Sequence, residues 1–148
     1  YMVMSLMESM DFQDKMVFDY GCGTGILAIL ASQLGAKTID AVDIEPPSYE
    51  NTVENAEINN ISNIEPYLGT LIDIENSDYD IILANINRNV ILDSLSSLFE
   101  KLKNGGTLVV SGFLKADEDL LKDSAKDAGF SIGEGMERNN WICLQLKK

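Results

Sequence analysis

The chain has 148 residues, 45% of them hydrophobic, a size and composition that suit one domain with a buried core. Its 24 acidic residues against 11 lysines and arginines give a formal net charge of −13, which repels phosphate and favours a basic partner over nucleic acid. There is no histidine, and the two cysteines, Cys22 and Cys143, lie far apart, which excludes Ser-His-Asp and Cys-His catalysis, most zinc sites and a disulfide framework.

Tyr1 to Met10 is predicted to be a helix whose Met2, Val3, Leu6 and Met10 share a core-facing side. Lys15 to Phe18 enter a first strand that stops at Asp19. Gly21, Gly23 and Gly25 follow at alternate positions, with Cys22 inside the turn where a small side chain fits. Ile26, Leu27, Leu30, Ala31 and Leu34 then recur at helical spacing, so Thr24 to Leu34 reads as a helix closed by Gly35. Strand, glycine turn and helix together make a place where backbone can approach a ligand closely.

Thr38 to Val42 is a second strand, ending at Asp43-Ile44-Glu45. Pro47 suits the first turn of a helix running to about Asn59. Ile64 to Leu68 is a short strand, Gly69-Thr70 follows it, and Leu71 to Asp78 reads as loop. Tyr79 to Ala84 is an apolar, buried strand that opens into Asn85-Ile86-Asn87-Arg88-Asn89. Val90 to Leu102 is helical, Asn104-Gly105-Gly106 is a turn, and Thr107 to Val110 is a strand closed by Ser111-Gly112-Phe113. A helix beginning at Asp117-Glu118-Asp119 ends at Gly129, and Phe130 to Met136 pairs with Trp141 to Leu146 around Arg138-Asn139-Asn140. The alternation predicts an α/β fold over residues 1–148: a doubly wound, mostly parallel sheet with a C-terminal antiparallel strand pair.

No apolar run approaches the roughly 20 residues of a membrane span, and no secretory signal is visible. The cysteine usage points to a reduced, cytoplasmic setting, and no metal is expected. Residue 1 is Tyr rather than Met, so the chain is expected to be a fragment or a processed product.

The glycine turn departs from the dinucleotide fingerprint G-x-G-x-x-G, because its third glycine comes one position early and residue 26 is Ile. What stands here is D-x-G-x-G-x-G, from Asp19 through Gly21 and Gly23 to Gly25. This resembles motif I of the seven-stranded S-adenosylmethionine-dependent methyltransferases. The resemblance implies a Rossmann-like methyltransferase fold and S-adenosylmethionine as cofactor. It further implies that Asp19 and the backbone of Gly21, Cys22, Gly23 and Gly25 hold the cofactor's amino-acid end.

Asp43, at the end of the second strand, can accept both hydroxyls of a ribose, and Ile44 can pack on an adenine face. An acid after the third strand often reads the adenine in this superfamily. Here the place holds Gly69-Thr70, which leaves Thr70, a backbone group or Asp73 for that task. Asn85 ends the fourth strand, where the crevice of an open α/β sheet lies. Its side-chain carbonyl can accept a proton from an amine and aim the nitrogen lone pair. The competing reading is a helix cap, a task for which Asn87 and Asn89 are also available.

The blocks V-F-D-Y-G-C-G-T-G-I-L-A-I-L-A, L-G-A-K, A-V-D-I-E-P, E-N-A-E-I-N, D-I-I-L-A-N-I, N-G-G-T-L-V-V-S-G-F-L and W-I-C-L run along the chain in this order. Together they look like the PrmA family, which methylates large-subunit ribosomal protein eleven. The likeness covers nearly the whole chain. It implies methyl transfer to lysine side chains and an N-terminal amine of a basic ribosomal protein. That family carries an extra N-terminal substrate-binding domain and a Thr/His-containing stretch ahead of the first helix. Neither is present here, so the chain looks like the catalytic domain of a longer protein. Asn104 also replaces a family proline.

A lysine of pKa about 10.4 costs roughly 4–5 kcal/mol to deprotonate at pH 7, and a desolvated pocket beside a sulfonium cation reduces that cost. A histidine base is therefore not required. An RNA or DNA base N-methyltransferase is an alternative, but such enzymes often carry Asn-Pro-Pro-aromatic where this chain has Asn85-Ile86-Asn87-Arg88. A non-catalytic cofactor-binding domain is a further alternative. A nicotinamide oxidoreductase ranks last, because residue 26 is not glycine.

Overall fold

The apolar run ahead of the glycines forms β1 (Met16–Tyr20), an interior strand of a computed structural model that describes all of residues 1–148. In chain order the molecule is α1 (Met2–Met7), β1, α2 (Ile26–Gln33), β2 (Thr38–Asp43), α3 (Pro46–Ile58), β3 (Ile64–Leu68), β4 (Tyr79–Asn85), α4 (Arg88–Lys101), β5 (Leu102–Leu114), α5 (Glu118–Asp127), β6 (Ser131–Arg138) and β7 (Trp141–Lys147). Single 3-10 turns cover Leu71–Asp73 and Lys115–Asp117.

The seven strands lie in the order β3-β2-β1-β4-β5-β7-β6. The first five are parallel, and β7 pairs antiparallel with both β5 and β6. The chain winds one way from β1 to β3, then returns to place β4 on the other side of β1. The reversal leaves the C-terminal ends of β1 and β4 side by side, the place where an open α/β sheet forms its crevice.

Side chains alternate across the sheet and make two cores. Phe18, Ile82, Leu108 and Val110 face α4 and α5, while Val17, Ile39, Ile81, Leu83 and Val109 face α1 and α2. In α4, Ile91, Leu95 and Leu98 recur at helical spacing on the buried face. α3 starts with Pro46, whose missing N–H costs nothing at the first helical position. α5 carries Glu118 and Asp119 in its first turn and Lys126 in its last, signs that suit the helix dipole. The β6–β7 hairpin turns on Asn139 (φ 52°) and Asn140 (φ 67°), the two left-handed residues that a tight hairpin of this kind requires. No helix is long and apolar enough to cross a membrane.

The structure moves several predicted boundaries. α1 stops at Met7 rather than Met10, because Ser9 Oγ donates to the Leu6 carbonyl and the chain tightens into a turn. β1 runs on to Tyr20, and β4 takes in Asn85. α2 starts two residues late, at Ile26, with Gly25 as its N-cap. The Asn104-Gly105-Gly106 turn is instead part of a 13-residue β5. It stands out from the ladder as a bulge: Tyr79 pairs Leu102, yet Ile81, two residues on, pairs Thr107. β5 also continues past Gly112 to Leu114, with a second irregularity between Ser111 and Phe113.

Candidate active site

The glycine turn is sewn to β2. Gly21 N–H and Cys22 N–H both donate to the Val42 carbonyl, at 2.8 and 3.1 Å, and Gly25 N–H closes the turn on the Cys22 carbonyl at 2.8 Å. Gly21 has φ +75°, and a Cβ there would lie 2.2 Å from Ile86 Cγ2, so the position has room for nothing larger than hydrogen. Cys22 is buried, and burial pushes its thiol up to about 12 despite a contact with Thr52 Oγ1. It is therefore a protonated wall of the turn, not a nucleophile.

Asp19 is 1% exposed. Its Oδ2 accepts from Ala28 N–H at 3.1 Å and so caps the first turn of α2, while its Oδ1 is buried with no partner. Burial, joined by the charge of Asp43 and opposed by the Ala28 hydrogen bond, raises this carboxyl to about 7. A buried orphan oxygen beside a glycine turn suits an incoming ammonium group.

Asp43 bridges the two loops above the sheet. Its Oδ2 accepts from Gly23 N–H at 2.9 Å and its Oδ1 from Glu45 N–H at 3.0 Å. A carboxylate offers about four lone-pair sites, so room remains for hydroxyl donors. Asp43, Ile44, Tyr20, Gly69, Ile86 and Val90 face one small cleft of about 170 Å³. Ile44 is 65% exposed there, an apolar face with nothing of the protein on it. Thr70, the next residue after Gly69, does not line this cleft. Its N–H and its hydroxyl both donate to Asp73 Oδ2, at 2.7 and 2.9 Å, and these bonds hold the Asp73 carboxyl below the usual range. The hydroxyl proton of Thr70 is thus spent on Asp73, and Gly69 is the residue of this pair that reaches the cleft.

Asn85 is exposed at the end of β4, on the strand adjacent to the one that carries the glycine turn. The cap of α4 is Asn87, whose Oδ1 accepts from Asn89 N–H at 2.9 Å, and Asn89 Oδ1 accepts from the Arg88 guanidinium. Asn85 is therefore free of capping duty. It lines a cleft of about 370 Å³ with Ile26, Leu27, Ser111, Gly112 and Trp141. Ser111 Oγ donates to the Ile142 carbonyl at 3.0 Å, which makes it a strut. Another cleft of about 370 Å³ lies at the opposite end of the strands, among Lys15, Asp80, Lys103 and Thr107. There Lys103 pairs with Asp80, far from the glycine turn.

Sequence reading missed the parts that fix this geometry. Ile86 threads between the glycine turn and β5, its N–H donating to the Ser111 carbonyl at 3.1 Å. Thr52, fully buried on α3, donates to the Gly23 carbonyl at 3.2 Å, and Asn55 donates to the Thr24 carbonyl at 2.9 Å. The available signal was Thr52 lying four residues before Ala56, a polar residue on the helix's buried face.

Comparison with known proteins fits this geometry. The sequence profile of the family described as ribosomal protein L11 methyltransferase (PrmA) matches residues 1–148. The chain belongs to the PrmA family. Over 146 residues it is 43% identical to a ribosomal protein L11 methyltransferase of Porphyromonas gingivalis, covering 98% of this chain and 50% of that protein. A relative of the same name from Acetivibrio thermocellus is 40% identical over 131 residues, 88% of this chain and 42% of its own. The crystal structure of a ribosomal protein L11 methylase from Lactobacillus delbrueckii subsp. bulgaricus superposes with a TM-score of 0.90 at 32% identity, over 98% of this chain and 74% of that one. The chain thus spans about half the length of the curated PrmA relatives it matches. The family and fold that the sequence motifs implied are the ones found.

Proposed function

We propose that this chain is the methyl-transferring domain of a PrmA-type enzyme. It would bind S-adenosylmethionine over the glycine turn and act on amine nitrogens, lysine side chains and an N-terminal amine, of a basic ribosomal protein. L11 is the protein that the relatives' names specify. The further N-terminal substrate-binding domain expected of the family is part of the same proposal. A setting in the cytoplasm follows from a ribosomal substrate. The observation that carries the reading is Asn85: it stands uncommitted at the mouth of the crevice while Asn87 does the capping.

The residues present suit the cofactor. Asp19 Oδ1 is an orphan acceptor for an ammonium, Asp43 has lone pairs left for ribose hydroxyls, and exposed Ile44 offers a flat apolar contact for adenine. When bound, S-adenosylmethionine supplies a methyl group on a sulfonium centre. Asn85 Oδ1 accepts one hydrogen of the neutral acceptor amine and turns its lone pair toward that methyl. Ile86, packed between Gly21 and Gly112, fixes the chain that leaves Asn85, and Trp141 lines the cleft. Alignment of this kind supplies much of the rate in a displacement between two held reactants. No specific feature favours the nucleic-acid base alternative, and Ile86 and Asn87 stand where its prolines would be.

Replacing Asn85 with Ala should lower methyl transfer by about 100-fold, the usual cost of one preorganised polar contact at a reacting centre, with cofactor affinity within twofold. Single-turnover transfer of labelled methyl to the ribosomal protein, beside calorimetric titration with S-adenosylhomocysteine, reads both quantities. Turnover equal to the parent chain would remove Asn85 from the chemistry. Asp43→Ala should show the opposite pattern, weakening S-adenosylhomocysteine by about 30-fold through lost charge-assisted hydrogen bonds. An unchanged dissociation constant would place the ribose elsewhere.

A further inference from the structure

The two carbonyls of the glycine turn that point away from the crevice are both held by α3. Thr52 Oγ1 donates to the Gly23 carbonyl, and Asn55 Nδ2 donates to the Thr24 carbonyl. The Thr52 hydroxyl has a single proton, so the Cys22 thiol, 3.3 Å away, is the donor in their contact. A relay runs from Cys22 S–H to Thr52 O–H to the Gly23 carbonyl. Gly25 packs directly on Thr52, where a Cβ would lie 3.0 Å from Cγ2 and 3.1 Å from Oγ1.

A trans peptide is planar and its N–H points opposite its C=O. Pinning the Gly23 carbonyl to α3 therefore turns the Thr24 N–H away from α3, outward at the N-terminal end of α2. That N–H donates to no group of the protein. Asp19 Oδ1, also on the turn, is the orphan acceptor. Thr24 N–H, beside the likewise unbonded N–H groups of Ile26 and Leu27 at the start of α2, and the buried free acceptor on Asp19 match the carboxylate and the ammonium of an α-amino acid.

We infer that Thr52 and Asn55 are positioning residues that fix the glycine turn so that Thr24 N–H meets the carboxylate of the cofactor's amino-acid end. The inference rests on the cofactor reading above and adds what orients the turn. Thr52 and Asn55 touch no ligand; they act through the peptide planes of Gly23 and Thr24. Because α3 follows directly on Asp43-Ile44-Glu45, one helix also ties this turn to the loop that holds Asp43.

A role in orientation has a signature that a general structural role lacks. S-adenosylhomocysteine has the amino-acid end, and 5′-methylthioadenosine has the same nucleoside and sulfur without it. In calorimetric titrations, Thr52→Val should weaken S-adenosylhomocysteine about tenfold and leave 5′-methylthioadenosine within twofold. Thr52→Ser, which keeps the hydroxyl, should bind both like the parent chain. Asn55→Ala, at a more exposed position, should give the same selective loss at about threefold and guards against a Thr52→Val chain that fails to fold. Equal weakening of both ligands, or S-adenosylhomocysteine affinity unchanged in both Thr52→Val and Asn55→Ala, would overturn the inference and leave the cofactor reading standing. A parent chain that binds neither ligand would overturn the cofactor reading as well.

Discussion

Gly112→Ala should destabilise the protein by about 2–5 kcal/mol. Gly112 has φ +100°, and a Cβ there would lie 2.2 Å from the Ile86 carbonyl oxygen, 3.0 Å from its carbon and 3.1 Å from its nitrogen. All three are backbone atoms, so no side chain can swing aside to make room. The left-handed conformation adds about 1–2 kcal/mol for a residue with a Cβ, and forced overpacking typically costs about 1–3 kcal/mol more. In a chain of this size a loss at that level lowers the melting temperature by roughly 10 °C. Urea denaturation at 25 °C measures it directly, and a loss below about 1 kcal/mol would mean that the Asn85–Asn87 connection yields freely. The atoms that must yield belong to the residue after Asn85. Any Gly112→Ala protein that remains folded should therefore lose methyl transfer more than cofactor affinity.

Asp19→Asn should remove most of one pH dependence of stability. The folded Asp19 carboxyl sits at about 7 against an ordinary value of 3.8, because burial disfavours its charged form. The folded state therefore holds this proton more tightly than the unfolded state. The contribution of Asp19 to stability is best below about pH 4 and declines as pH rises toward 7, by about 1.4 kcal/mol per unit, or about 4 kcal/mol in all. Asparagine keeps a carbonyl for the Ala28 N–H and cannot ionise. The fall in stability between pH 5 and pH 8 should thus be smaller in the variant by a few kcal/mol, as measured by denaturant midpoints at the two pH values. An identical fall in both proteins would show that Asp19 does not take up its proton on folding. The same change removes the charge offered to an ammonium, so stability gained at pH 8 should come with weaker binding of S-adenosylhomocysteine.

What could be read from the sequence and what could not differ in physical kind. β1, the glycine turn and α2 were legible because an apolar run, three alternate glycines and a helical repeat stand next to one another, and each is a local signal. Asp43 and Asn85 were legible because both end apolar strands, and such ends face the crevice of a doubly wound sheet. Which asparagine caps α4 was a three-way choice in sequence, among Asn85, Asn87 and Asn89; the Asn89 N–H bond to Asn87 decides it. The pairing of Thr70 with Asp73 is local and fits a capping box, a spacing that the sequence itself carries. Helical spacing could put Thr52 on the buried face of α3, but the partners of Thr52, Asn55 and Ile86 were beyond reach for another reason. Their partners lie 29 and 31 residues away for the first two, and on neighbouring strands for the third. Tertiary contacts of this kind leave no periodicity behind. The β5 bulge was misread because Asn-Gly-Gly is turn-like in composition, and only the ladder to β4 reveals extended chain on both sides of it.

The reversal of winding between β3 and β4 divides the functional groups by order of synthesis. Asp19, the glycine turn, Asp43 and their supports on α3 all precede residue 71, whereas Asn85, Ile86, Gly112 and Trp141 all follow residue 78. A growing chain therefore carries the glycine turn, Asp43 and their α3 contacts before it carries Asn85 and the Ile86 and Val90 side chains that complete the cleft beside Asp43. The two halves meet only when β4 pairs with β1, a contact that bridges 64 residues between Met16 N–H and Asp80. Until that pairing forms, the groups proposed to hold the cofactor and the amide proposed to aim an amine are not assembled, so on the proposed reading competence for transfer arrives together with closure of the sheet.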